Sequence, residues 1–324
     1  MNMPGFDLPL ERLWEYQGST PCPEDFADYW DRALAELDRV DPCPELLPSS
    51  FQTGFAQCFD LYFTGVRGAR IHAQYSRPGN GEGPYPALLV FHGYMGSSGD
   101  WAGRLHFNAA GMAVAALDCR GQGGLSQDVC QGSVSTLFGA ITRGLDQGPD
   151  FLMLRDTFLD TVQLARVVMA MEEVDPSRVA VNGVSQGGGL SLACAALVPE
   201  IRTALVRYPF LCDYKRVWQM GMDVDAYSGI RSYFRFYDPR HEREDEIFRT
   251  LGYVDCSHLA SRITADVYMQ TGLNDRACPP STQFAAYNHL KGPKQRELYP
   301  DYGHEFLLGA NDRYYQYLLK RFGL

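Results

Sequence analysis

Gly183-Val184-Ser185-Gln186-Gly187 lies between an apolar run at 178–182 and a small, apolar stretch at 188–197, so a strand runs into a helix at one serine. A strand that reverses this sharply leaves no room for side chains two positions either side of its apex. Glycines therefore flank the turn, and Ser185 projects alone. The five-residue pattern by itself is weak, because 32 of the 324 residues are glycine. The strand before it and the helix after it carry the argument.

The rest of the chain supplies the sheet that such a turn needs. Residues 57–63 and 70–75 alternate in polarity around Gly65-Val66-Arg67-Gly68, as two antiparallel strands joined by a short turn do. Short apolar runs follow at 85–91, 112–117, 179–184, 203–208, 266–271 and 295–299, with helical stretches between them. Eight strands alternating with helices in this way predict an α/β fold, a mostly parallel eight-stranded sheet flanked by helices. The clearest helix spans 154–174, with Leu159, Val162, Leu164, Ala165, Val168 and Met169 on its apolar side, and stops before Asp175-Pro176. Two more are expected at 280–290 and 311–322. One domain accounts for residues 1–324, with two additions. Residues 1–55 form an N-terminal extension in which prolines bracket a helix at 24–40, whose Phe26, Tyr29, Trp30, Ala33, Leu34 and Leu37 recur at helical spacing. Residues 213–251 are a polar and aromatic insertion expected to fold as helices beside the site or at a subunit contact.

Composition narrows the function. Hydrophobic residues make up 45% and charged ones 21%, which is the profile of a globular protein. A net charge of -10, with Lys and Arg scattered, excludes a nucleic-acid partner. Residues 1–7 lack a basic segment followed by an apolar one, so no signal peptide is expected, and no apolar run reaches membrane-spanning length. Nine cysteines, an odd number with no Cys-x-x-Cys pair, suit reduced thiols in a cytoplasm better than a disulfide framework or a zinc site. Cys119 and Cys194 fall in apolar segments and read as small buried hydrophobes. Neither a metal nor a cofactor is expected.

A serine hydroxyl is a poor nucleophile at neutral pH and needs a base within hydrogen-bond reach. After the nucleophile the order expected on such a sheet is an acid and then a histidine, each on a loop at the carboxyl end of a strand. Asp275 follows the run 267–274, and His304 follows the run 296–299 across the loop Pro300-Asp301-Tyr302-Gly303. His304 is the candidate base and Asp275 the acid that holds its tautomer. Asp301, three residues before His304, is the rival acid, although its short loop suits a turn former. The other six histidines lack a late strand before them and a final helix after them. The oxyanion formed on attack needs preorganised donors. The backbone N–H of Gln186 directly follows the nucleophile, and the backbone N–H of Tyr94 stands on the loop after the strand 87–91.

Arg120-Gly121-Gln122, Gly183-Val184-Ser185-Gln186-Gly187 and His304-Glu305 together resemble carbohydrate esterase family seven, the acetyl xylan esterases and cephalosporin C deacetylases. The resemblance extends through His92-Gly93-Tyr94, Pro209-Phe210-Leu211-Cys212-Asp213 and residues 279–290, from the early helix onward. It implies an α/β-hydrolase fold and a serine carboxylesterase that removes acetyl groups from the hydroxyls of small sugars, xylo-oligosaccharides and cephalosporin C. It also implies a cytoplasmic homo-hexamer, a trimer of dimers whose sites face an interior cavity. By the same resemblance Arg120, Gln122 and Glu305 brace loops rather than react. Tyr94, Pro209 and Phe210 are candidate walls of an acetyl pocket, and aromatic residues beside strands also commonly serve as core. Two other readings compete: a serine peptidase or longer-chain esterase on the same fold, and a non-catalytic scaffold.

Overall fold

In the computed structural model, which describes residues 5–129, 139–223 and 225–324, one nine-stranded sheet organises the chain. Its strands are β1 (Glu45–Pro48), β2 (Ala56–Thr64), β3 (Arg70–Pro78), β4 (Tyr85–Phe91), β5 (Ala113–Leu117), β6 (Val174–Val184), β7 (Thr203–Arg207), β8 (Asp266–Gly272) and β9 (Lys294–Tyr299). They lie in the order β1-β2-β3-β5-β4-β6-β7-β8-β9. β5, β4 and β6 to β9 run parallel, while β1, β2 and β3 pair antiparallel and β3 meets β5 antiparallel. Every residue of β5 and β7 is buried, as strands covered on both faces require, so β5 reads as an unbroken apolar run and β7 as Ala204-Leu205-Val206 between Thr203 and Arg207.

The sheet has one strand more than the eight expected. The addition, β1, is a four-residue edge strand between prolines with all four residues exposed, so it carries no alternation of burial to be read. The long helix spans Met153–Met169 rather than reaching residue 174. Val174 instead opens β6, paired with Tyr85, because the sheet takes up the segment around Pro176 that a helix cannot use. That helix is buried nearly all round: the sheet side is covered by the fold, and the outer side by the helix Phe26–Leu37 of the N-terminal segment. Trp30, fully buried, stacks on Phe158 at 5.8 Å and donates its indole N–H to the carbonyl of Tyr253 at 3.0 Å. Burying side chains of this size stabilises by about 1.5–3 kcal/mol each, so residues 26–37 belong to the core.

A second tie is polar. The buried carboxylate of Asp213 accepts from the Tyr16 hydroxyl (2.7 Å) and from the backbone N–H groups of Ser19 and Thr20 (both 2.9 Å). Among the described residues of 213–251 the chain forms α-helices at Tyr214–Gln219, Ser228–Tyr237 and Glu244–Gly252. Among the described residues no helix is long and apolar enough to cross a membrane, and the eight described cysteines are free thiols.

Candidate active site

Parallel register brings the carboxyl ends of five strands to one edge. Phe91 stands beside Gly183, Val184 beside Arg207, and Gly272 beside Tyr299. The loops that leave these ends therefore converge on Ser185. Ser185 adopts φ 59° and ψ -119°, a conformation that L residues seldom visit and that costs of order 1–3 kcal/mol. Its neighbours hold it there: its N–H donates to Arg207 O (3.0 Å), and its carbonyl accepts from Phe210 N–H (3.0 Å) and Gly189 N–H (3.1 Å). A Cβ at Gly183 would lie 2.1 Å from the backbone of Gly187, and one at Gly187 would lie 1.9 Å from Phe91 O. Both positions admit glycine alone.

His304 Nε2 lies 3.0 Å from Ser185 Oγ, and His304 Nδ1 lies 2.9 Å from Asp275 Oδ2. A carboxylate can only accept, so Nδ1 carries the proton toward Asp275 and Nε2 is left free to accept from the serine hydroxyl. The Asp275 side chain is fully buried, and its second oxygen accepts from the N–H groups of Ala277 (2.9 Å) and Cys278 (2.7 Å). Asp301, the rival acid, is exposed, and His304 Nδ1 pairs with Asp275 instead. The Tyr208 ring packs 4.6 Å from the imidazole and its hydroxyl donates to Glu305 O (2.9 Å), while Glu305 Oε1 accepts from Gly303 N–H (3.0 Å).

Ser185 opens into a cavity of ≈ 490 Å³ whose walls include Tyr94, Ser97, Phe210, Ala226, Cys278 and His304. Tyr94 meets Phe210 edge to face at 5.5 Å, Phe210 meets Tyr227 at 4.4 Å, and the Tyr94 hydroxyl accepts from Ala140 N–H at 2.9 Å. Pro209 does not line the cavity. It is buried against the start of the nucleophile helix, where a Cβ at Gly188 would come within 3.1 Å of its Cα, and of these two neighbours Phe210 alone lines the space. The backbone N–H groups of Tyr94 and Gln186 have no acceptor among the described residues, and Gln186 opens the helix Gln186–Leu197, where first-turn N–H groups are unpaired. Ala226 and Cys278 escaped sequence reasoning. Cys278 is the third residue after Asp275 and Ala226 lies in the insertion, and no local pattern marks either as facing Ser185.

The other loop histidine is spoken for. His92 accepts from Cys119 N–H at Nε2 (3.0 Å) and faces Gly93 O with Nδ1 (2.7 Å), and burial holds its pKa below the ordinary value. Asp275, Cys278 and His304 offer ligand atoms within 4.8 Å of one another, but a cation there would have to displace the Asp275–His304 hydrogen bond.

Behind the Tyr94 loop lies a buried pair. His72 bonds Asp118 through Nδ1 (2.7 Å) and Asp60 through Nε2 (3.1 Å), and Asp118 also accepts from the N–H groups of Ser98 (2.6 Å) and Leu125 (2.9 Å). Burial alone would lower the His72 pKa, but the two carboxylates raise it above 6.5. Burial alone would raise that of Asp118, but His72 and the two N–H groups hold it well below 3.8. The histidine's contribution to stability is full below 6.5 and lost as pH rises through its folded value. The aspartate's is present above 3.8 and lost as pH falls. The coupling between them is thus greatest between those limits. In a denaturation double-mutant cycle with His72→Gln and Asp118→Asn, it should be larger at about pH 5.5 than at about pH 9, by roughly 1 kcal/mol or more. A coupling indifferent to pH contradicts an imidazolium at this position.

A family model described as acetyl xylan esterase (AXE1) matches residues 3–321. Acetyl esterase Axe7A of Xylanibacter ruminicola is 27% identical over 290 residues, which are 87% of this chain and 63% of that protein, so the chain spans less than two thirds of that curated relative. The crystal structure of acetyl xylan esterase 1 from Thermoanaerobacterium sp. JW/SL YS485 superposes with a TM-score of 0.96 at 57% identity, covering 98% of this chain and 99% of that one. Acetyl xylan esterase from Paenibacillus sp. R4 gives 0.92 at 37% identity, with 97% and 99% covered. The α/β hydrolase GrgF from Penicillium sp. sh18, 16% identical with a TM-score of 0.57 over 82% of this chain and 99% of that one, shares the fold.

Proposed function

The chain belongs to the acetyl xylan esterase family, and from that premise we propose that it is a serine carboxylesterase that removes acetyl groups from the hydroxyls of small acetylated sugars and xylo-oligosaccharides. Ser185 is the nucleophile, His304 the base and Asp275 the group that orients it. As Ser185 Oγ attacks the acetyl carbon, its proton passes to His304 Nε2, and Asp275 stabilises the imidazolium. The backbone N–H groups of Tyr94 and Gln186 receive the oxyanion. Collapse expels the sugar oxygen, which takes the proton back from His304. Water then repeats the sequence on the acetyl-enzyme, releasing acetate and restoring Ser185.

One observation carries this reading: the hydrogen-bonded series Ser185–His304–Asp275 opens onto a cavity walled by Tyr94, Phe210 and Cys278. The family and its acetyl xylan esterase relatives support the acetyl group as cargo. Cephalosporin C as a further substrate, a cytoplasmic location and a hexamer built as a trimer of dimers belong to the same proposal and rest on the resemblance. Tyr94 and Phe210 limit the acyl chain. Two methylenes that find no apolar space forfeit about 1–3 kcal/mol each in the transition state. For p-nitrophenyl esters, kcat/KM should fall at least tenfold from acetate to butyrate, and acetylated xylobiose should release acetate. A flat acyl-length profile with no acetate from xylobiose acetates contradicts the assignment.

A further inference from the structure

Gln122 sits on the loop after β5, and no step of the mechanism uses it. Its side-chain oxygen accepts from Met95 N–H at 2.8 Å and from Gln186 Nε2 at 2.9 Å, while its Nε2 donates to Gln186 Oε1 at 2.9 Å. The Met95 N–H can only donate, so it fixes Oε1 as the atom that faces it, and the reciprocal pairing then fixes the amide of Gln186. One amide thus bonds Met95, the neighbour of the donor Tyr94, and the side chain of the other donor, Gln186. Adjacent contacts point the same way. Gly123 N–H donates to Gly96 O at 2.9 Å, and a Cβ at Gly123 would lie 2.9 Å from both Met95 O and Gly96 O. Met95 itself holds φ 57°, a left-handed conformation for a residue with a side chain, which needs a partner to persist. Gln186 is fully buried, so its amide has no solvent to turn toward if Gln122 is removed.

We propose that Gln122 is a positioning residue that sets the spacing and aim of the two oxyanion donors, joining the Tyr94 loop to the first turn of the nucleophile helix. The inference rests on the assignment of Tyr94 and Gln186 as those donors. The donors act on charge that develops in the transition state, so their misplacement should lower kcat and leave substrate binding nearly intact. Losing one donor costs a hundredfold to a thousandfold, and an error of about 1 Å can cost about a hundredfold.

The test uses the full chain and p-nitrophenyl acetate. Gln122→Met keeps the length of the side chain and removes the amide. It should lower kcat by roughly 10- to 100-fold with KM within about threefold, and weaken a trifluoromethyl ketone, which forms the same oxyanion, by the same factor. Gln122→Glu keeps an acceptor for Met95 N–H and loses the donor to Gln186, so its loss should lie between those of Gln122→Met and the wild type. Wild-type kcat with undiminished ketone affinity, or a change confined to KM, overturns the inference. Should Gln122→Met not fold, Gln122→Glu carries the same criteria. Ser185→Ala separates the two proposals: if it retains hydrolysis, the serine mechanism fails and Gln122 loses its role. If it abolishes hydrolysis while both Gln122 variants match the wild type, the positioning role alone falls.

Discussion

Ser185→Ala should lower kcat for acetate-ester hydrolysis by about 10⁵- to 10⁶-fold while leaving the protein folded. On the proposed mechanism alanine removes the atom that forms the acyl-enzyme, and His304, 3.0 Å from the Ser185 hydroxyl, then has no hydroxyl to deprotonate in the first half-reaction. Residual hydrolysis comes from water acting beside the oxyanion donors, which is why the loss is finite. Because the three side chains act as a unit, adding His304→Ala to Ser185→Ala should cost little more. Stability should change by less than about 1 kcal/mol, since the backbone conformation at 185 is imposed by Arg207, Phe210 and the flanking glycines rather than by the hydroxyl. Steady-state kinetics with active-site titration measures the first effect and thermal unfolding the second. Activity within tenfold of the wild type rules out Ser185 as the nucleophile.

The second large effect is on stability, at Arg120. This side chain is fully buried and bonds Asp160 through two parallel contacts of 2.7 Å, Nε to Oδ2 and Nη2 to Oδ1, with Asp156 at 3.2 Å. Asp156 keeps Arg67 (3.0 Å) and Arg155 (3.2 Å) as further partners, so it is Asp160 that depends on Arg120. Arg120→Met should destabilise by about 3–5 kcal/mol, because breaking a buried pair strands the remaining charge. Burial already pushes the Asp160 carboxyl up to about 6 while Arg120 pulls it down. Without the guanidinium that value rises further. An acid whose folded pKa is raised contributes stability below its unfolded value and loses it as pH climbs through the folded value. The penalty should therefore be larger at about pH 8 than at about pH 5, and Asp160→Asn added to Arg120→Met should recover part of it. A pH-independent loss below about 1 kcal/mol would show that water, not Arg120, compensates Asp160. Urea unfolding at the two pH values decides between them.

Arg120 also shows where reading the chain stops. Family resemblance marks it as structural, but nothing near it in sequence points to Asp156 and Asp160, which lie a turn apart on the helix Met153–Met169. Nothing local marks those two aspartates as buried, and the structure buries them under Arg120 and the turn between β2 and β3, where Arg67 reaches Asp156 and Gly65 packs against Asp160. Local patterns fared better. The hairpin of β2 and β3, the six parallel strands and the strand-to-helix turn all follow from periodicity and glycine placement, since each depends on neighbours within a few residues. β1 lacked periodicity, and Pro209 could not be told from Phe210 as a wall because which of two adjacent residues faces a cavity depends on a turn in the backbone. Cys278 and the Gln122–Gln186 amide pair came only with the folded loops, for the same reason.

Sequence alone determined eight of the nine strands, the serine between its glycines, and a histidine after the last strand. It offered two carboxylates for that histidine, Asp301 three residues away and Asp275 twenty-nine. Tertiary structure put Asp275, buried and braced by two N–H groups, at 2.9 Å and left Asp301 in solvent. A hydrogen bond is a matter of ångströms in space, and here the pairing of β8 with β9 sets that distance, bringing together two loops that the chain itself keeps apart.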